Sequence, residues 1–274
     1  MPISETQFNG NRASAEDLAP LAFAGYAHFT AMQVRDRAVR GLDLHLARLR
    51  AASEQLFGRS VPDDRIRDLL CSATADAPAD LSLTCHVSAR PGEFNRASTD
   101  TELDVLVRIT DPVTPAPDPV TLAALPHQRH LPQLKHVGEV AKTELLRRAN
   151  AAGFDDAVFV DHSGRISEAT IWNIAFWDGT SVIWPQADLL DGITQQILRR
   201  RLSAQGVPQT TRPVRAMDLD DRFAAALMNS WSPGIPVSRI ADRPLGDHTD
   251  LIGLLHRAYA TEPPVPLCDP SKSQ

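Results

Sequence analysis

The sequence predicts a two-domain α+β protein on three observations. Apolar residues alternate along 81–87 and 103–109, with amphipathic stretches between residues 43 and 70, so the first part reads as helices on one face of an antiparallel sheet. A run with four prolines in nine residues, Asp111-Pro-Val-Thr-Pro-Ala-Pro-Asp-Pro119, then excludes helix or central strand and reads as a linker. Strand and helix patterns resume beyond it. The expected division is a small α+β domain over 1–110, a linker over 111–119, a larger domain over 120–261 and a loose tail over 262–274.

Residues 2–11 read as a short strand ending at the turn signal Asn9-Gly10. Gly25–Arg35 and Ala38–Leu42 read as a hairpin turning at Asp36-Arg37. Asp43 is placed to cap the next helix, which carries Leu46, Leu49 and Leu56 on its apolar side. A second helix starts near Pro62-Asp63 and carries Ile66, Leu69 and Leu70. After the linker come a helix from Glu139 to Ala152, a strand at Asp156–Val160, a turn at His162-Ser163-Gly164, and strands at Ile171–Trp177 and Ser181–Trp184. A helix over Gly192–Ala204 follows, then strand-like segments at 208–215, 224–230 and 236–240 and a final helix over 248–260. The prolines after Glu262 argue for a loose end.

Composition narrows the function. At 274 residues, 43% hydrophobic and 23% charged, the chain is globular, and no stretch is long enough to span a bilayer. A formal charge of −6 and the lack of a basic run with interleaved aromatics argue against nucleic acid. Cys71, Cys85 and Cys268 are odd in number and unrelated in spacing, which suggests neither a disulfide framework nor a zinc site. His127, His130 and His136 lack spaced acidic partners and read as loop residues, so no metal is expected. The N-terminus has no basic region followed by an apolar run, and the expected compartment is the cytoplasm.

The chemistry points to a lysine. The 28 basic residues include only Lys135, Lys142 and Lys272. Coding bias toward arginine leaves lysine where arginine cannot serve, because an ammonium can lose its proton when buried and form a Schiff base whereas a guanidinium cannot. Lys272 lies in the tail. Lys142 falls in an amphipathic pattern with Val140, Leu145, Leu146 and Ala149 and reads as a polar helix position, whereas Lys135 follows a proline-punctuated loop, Leu131-Pro-Gln-Leu-Lys-His136. Position favours Lys135. Farther on, Leu189-Leu-Asp-Gly-Ile-Thr194 opens a helix with Asp191 as a cap, and its first amides offer a phosphate cradle.

These stretches together resemble the class IV aminotransferase family, the fold type IV pyridoxal-phosphate enzymes that include branched-chain and D-amino acid aminotransferases and aminodeoxychorismate lyase. The resemblance covers about residues 25–240. It rests on His45-Leu-Ala-Arg48-Leu, on Lys135 followed after a helix by Gly153-Phe-Asp-Asp-Ala-Val, on Gly164-Arg-Ile-Ser-Glu168-Ala-Thr-Ile-Trp-Asn173, on Leu190-Asp-Gly-Ile-Thr194 and on Ile235-Pro-Val.

The resemblance implies pyridoxal 5'-phosphate as cofactor, a homodimer, and a larger domain with a barrel-like β core. It also implies a role for each matched residue. Lys135 is expected to form the Schiff base and to shuttle the substrate proton, and Glu168 to pair with the ring nitrogen. Arg48, the amides of Ile193 and Thr194, and Ser230 are expected to hold the phosphate. Asn173 braces the site. Thr30, Arg96, Asn229 and Trp231 are the candidates for substrate contact.

Two reactions fit the resemblance. An aminotransferase moves an amino group between an amino acid and a 2-oxo acid, while 4-amino-4-deoxychorismate lyase releases pyruvate and 4-aminobenzoate. Leu134-Lys-His, Phe29-Thr-Ala and Asn229-Ser230 lean toward the lyase; Gly138-Glu139, where lyases continue with Asn-Arg, leans away. The aminotransferase is the expected activity. A family member that has lost catalysis and serves a binding role is the third reading, opposed by retention of Lys135, Glu168 and Arg48.

Overall fold

The computed structural model describes residues 3–23, 25–90, 102–115 and 118–268, which form two compact units. The first contains β1 (Ser4–Phe8), β2 (Asn11–Arg12), α1 (Ala15–Phe23), β3 (Ala27–Val34), β4 (Ala38–Arg40), α2 (Leu42–Phe57), α3 (Asp63–Thr74), β5 (Leu81–Arg90) and β6 (Glu102–Thr110). Five of the strands make an antiparallel sheet in the order β2-β1-β6-β5-β3. The alternation expected at 81–87 and 103–109 is the reason: Leu83, Cys85, Val105 and Val107 point to one face and pack with Leu49 of α2 and Leu70 of α3. The opposite face carries Phe29, Thr84, His86, Leu106 and Arg108 in register. Asp36 and Arg37 both take positive φ, 50° and 61°, which suits the tight β3–β4 turn. Helix α1, absent from the sequence reading, buries none of its residues and so left no apolar stripe.

The second unit holds β7 (Val120–Pro126), α4 (Val140–Ala151), β8 (Asp156–Val160), β9 (Ile166–Ala169), β10 (Asn173–Trp177), β11 (Val182–Pro185), α5 (Ile193–Ala204), β12 (Gln209–Arg212), β13 (Ala224–Met228), β14 (Ile235–Ile240), β15 (Arg243–Pro244) and α6 (Thr249–Ala260). Its nine-stranded sheet runs β12-β11-β10-β13-β14-β7-β8-β9, with β15 beside β14, and curls into a half-barrel. Pairing of β14 with β7 and of β7 with β8 is parallel. Leu122, Ile174, Phe176, Leu227 and Val237 fill one side, while Trp184, Leu198, Met228 and Leu255 join α5 and α6 to the other. Each such side chain contributes roughly 1.5–3 kcal/mol on burial.

Four expectations need correction. The tail is not loose as far as it is described: β16 (Pro264–Pro266) pairs antiparallel with β4, and Cys268 forms a disulfide with Cys71 of α3. A separation of 197 residues hid that pair from spacing arguments. Residues 134–138 group with the first unit rather than with the larger one, because Phe29 N donates to Lys135 O (2.8 Å) and Val137 N to Ala27 O (3.0 Å), adding this segment to the edge of β3. Neither helix cap is the expected side chain: the residue before α2 is Gly41, with Asp43 inside the first turn, and the residue before α5 is Gly192. No helix among the described residues is long and apolar enough to cross a membrane.

Candidate active site

In the first unit the candidate lysine is fixed by its backbone. The bonds to β3 seat Lys135 beside that strand, with Nζ 4.8 Å from the Phe29 ring centroid. Phe29 stacks in turn on His86, centroids 4.9 Å apart. The neighbouring β3 residue Thr30 is fully buried, and its hydroxyl bonds His45 Nδ1 at 2.6 Å. One helical turn beyond His45 stands the half-buried Arg48.

This neighbourhood is basic, and Thr30 and His45 are buried in it. Burial pushes the His45 imidazole down to about 3, and the charges of Arg48 and Lys135 push the same way against Asp43. His86 falls to about 4 through burial, Arg108 and Lys135. Neutral imidazoles beside a lysine and an arginine give these surroundings a net basic character. The structure thus brings Lys135, Thr30 and Arg48 together. His45 and His86, which the sequence reading did not single out as site residues, belong with them; His86 could have been found from its polar position in an otherwise alternating strand.

In the second unit the candidate acid is set by the β8–β9 turn. Asp161 accepts from Ser163 N (2.8 Å), Arg165 N (2.9 Å) and Arg165 Nε (2.7 Å), and Gly164 supplies φ 77°. The strand that follows buries Glu168 to 3% exposure. Its carboxylate accepts from Arg129 Nη1 at 3.1 Å, and Arg129 Nε donates to Glu139 at 2.7 Å. Lys142, expected as a polar helix position, is half-buried beside these groups. Burial holds its ammonium below the ordinary lysine range, with Glu168 pulling upward and Arg129 downward. Arg129 was missed because one buried arginine looks like any other in so arginine-rich a chain.

Around the start of α5 the chain is packed tightly. Asn173, expected to brace the site, is buried and donates to Leu190 O at 2.7 Å. A Cβ at Gly192 would overlap the Asn173 side-chain oxygen and reach its Cγ at 3.0 Å, so glycine is needed there for space. Thr194 Oγ1 donates to Asn229 O at 2.8 Å, Asn229 Oδ1 accepts from Trp231 N at 2.7 Å, and Trp231 packs edge-to-face on Trp172 at 5.7 Å. Ile193, Thr194, Asn229, Ser230 and Trp231 are therefore gathered where α5 begins. The first amides of a helix have no intrahelical acceptors, which suits an anion. Arg96 lies outside the described residues.

The comparisons with known proteins agree with this architecture. The family described as amino-transferase class IV matches residues 27–240, and the chain belongs to that family. A probable branched-chain-amino-acid aminotransferase of Synechocystis is 28% identical over 109 residues, 39% of this chain and 34% of that protein; the matched part thus spans about a third of the relative's length. The branched-chain aminotransferase of Thermoproteus uzoniensis, solved with norvaline, superposes with a TM-score of 0.81 at 17% identity, covering 98% of this chain and 100% of that one. A putative 4-amino-4-deoxychorismate lyase from Legionella pneumophila gives 0.73 at 20% identity over 84% and 89% of the two chains. The fold is that of the fold type IV enzymes, and the cofactor of this family is pyridoxal 5'-phosphate. Each unit by itself carries groups of a kind that fits this cofactor: the first an amine in basic surroundings, the second a buried carboxylate and helix-start amides.

Proposed function

We propose that the chain is a pyridoxal-phosphate-dependent aminotransferase that moves an amino group between an amino acid and a 2-oxo acid. The observation that carries the reading is Lys135, one of three lysines, held on β3 among Phe29, His45 and His86. When bound, the cofactor supplies an electron sink for charge developing at the substrate Cα. The rest of the proposal concerns the protein's own groups. Lys135 would hold the cofactor covalently and, as a free amine, would carry the proton away from the substrate Cα to the cofactor side. Glu168 holds the proton of the ring nitrogen. Arg48, the Ile193 and Thr194 amides and Ser230 hold the phosphate, a task that suits a guanidinium fork and a helix start. Thr30, Arg96, Asn229 and Trp231 contact the substrate.

A homodimer and a cytoplasmic location complete the reading. The second reading is the aminodeoxychorismate lyase, favoured by Leu134-Lys-His, Phe29-Thr-Ala and Asn229-Ser230. One experiment separates the two. Cofactor-loaded protein is mixed with excess L-glutamate, then with D-amino donors, while the visible absorption and the released 2-oxo acid are followed. Loss of the visible band with stoichiometric 2-oxo acid supports the aminotransferase. A band that persists with every donor, together with pyruvate release from aminodeoxychorismate, supports the lyase, and failure to take up cofactor would support a binding role.

A further inference from the structure

We propose that Arg129 and Glu139 form a charge clamp that sets how tightly Glu168 holds the ring-nitrogen proton, Arg129 weakening that hold and Glu139 restoring it. The inference rests on the reading above that Glu168 faces the ring nitrogen. The Arg129 side chain is 3% exposed, and its guanidinium is shared between two carboxylates and a carbonyl: Nη1 donates to Glu168 (3.1 Å) and to Pro132 O (2.8 Å), and Nε to Glu139 (2.7 Å). A guanidinium keeps its charge when buried, so Glu168 always faces a cation on this side. That cation draws on the carboxylate which would otherwise serve the ring nitrogen alone. Glu139, at the start of α4, shares the same guanidinium and dilutes its pull.

Other charged groups face the cluster from each element packed around it. Lys142 of α4 is half-buried and held below its ordinary range by burial, with Glu168, Glu139 and Asp156 opposing. His127, just after β7, is lowered by burial and by Lys142 and Arg129 against Glu139 and Glu168. Asp156 of β8 is raised by burial and restrained by Thr170. Both Lys142 and His127 can shed a proton. Arg129 is the permanent cation, which is why the clamp is assigned to it. It acts through Glu168 and is a positioning residue.

The role predicts shifts of opposite sign, which a merely structural brace would not produce. The cofactor is labelled with 15N at the ring nitrogen, bound to the full chain, and its chemical shift is followed against pH. In Arg129→Met the proton is expected to be lost roughly one pH unit higher than in the parent, because a cation has gone. In Glu139→Gln it is expected to be lost roughly one unit lower, because the guanidinium now pulls on Glu168 alone. Shifts of the same sign in both variants, or none in either, would overturn the clamp. If Arg129→Met does not fold, as judged by circular dichroism and melting, Glu139→Gln decides alone: a downward shift supports the clamp, and an unchanged or upward one overturns it. Glu168→Gln tests the underlying reading separately. A ring nitrogen that keeps its proton as in the parent would remove Glu168 from the site whatever the clamp variants do.

Discussion

Replacing Gly192 by alanine should damage both stability and cofactor binding, and the size of the effect follows from the packing. The backbone at Gly192, φ −63° and ψ 143°, is open to any residue, so the cost is purely steric. The new Cβ meets the Asn173 amide, which is buried and bonded to Leu190 O. Overpacking of this kind costs roughly 1–3 kcal/mol. Driving Asn173 off leaves a buried carbonyl unsatisfied, roughly 1–3 kcal/mol more. Loss of glycine's unfolded-state freedom returns about 0.4–1 kcal/mol. The net loss is roughly 1–6 kcal/mol, a large share of the ~5–15 kcal/mol typical of a folded protein. Urea unfolding of the parent, Gly192→Ala, Asn173→Ala and the double variant measures it. In the Asn173→Ala background the second substitution should cost nothing, because the atom it strikes is gone. Cofactor affinity should fall in the single variant more than in the double, since displaced Asn173 shifts the start of α5. An equal cost in both backgrounds would refute the packing argument.

Other predictions concern acid, redox state and the second lysine. His28, His45 and His86 of the first unit are held neutral by burial, at about 4, about 3 and about 4. Unfolded, each takes a proton near 6.5, so their stabilisation is complete above that pH and declines as pH falls toward the folded values, by up to about 1.4 kcal/mol per pH unit for each. Urea midpoints should therefore drop between pH 7 and pH 5, and flat midpoints would contradict their burial. Reducing Cys71–Cys268, or Cys268→Ser, should cost about 2–4 kcal/mol and free the β16 end to proteolysis; thiol counting before and after reduction checks the bridge. In a reducing compartment the pair is expected as thiols, so trapping it in cells reports where the protein resides. Lys142→Met should leave cofactor attachment intact, because Lys142 is engaged with the charged cluster of Glu168, Arg129 and Glu139; loss of attachment would reassign the lysine.

How much the sequence told depended on whether a residue's partner was local. The strands at 81–90 and 102–110 were legible because their apolar residues alternate, with Leu83, Cys85 and Val87 facing Ile109, Val107 and Val105 in the core, although Asp104 and Leu106 beside them are buried too. Lys135 stood out through lysine scarcity, and the helix start at Gly192 through its neighbouring motif. Strand β7 was hidden behind the prolines at 111–119, and β9, four residues buried throughout, has no alternation to read. Cys268, Arg129 and the 134–138 segment take their meaning from partners distant in the chain. Arg129 finds Glu168 39 residues away, and no local pattern marks either as one half of a pair.

The most direct test of the central claim is to reduce the cofactor-loaded protein with borohydride, digest it, and locate the pyridoxyl group by mass spectrometry. Modification of Lys135, absent from Lys135→Ala and retained in Lys142→Met, is the predicted result. Modification of Lys142, or a loaded protein that leaves no lysine modified, would contradict it.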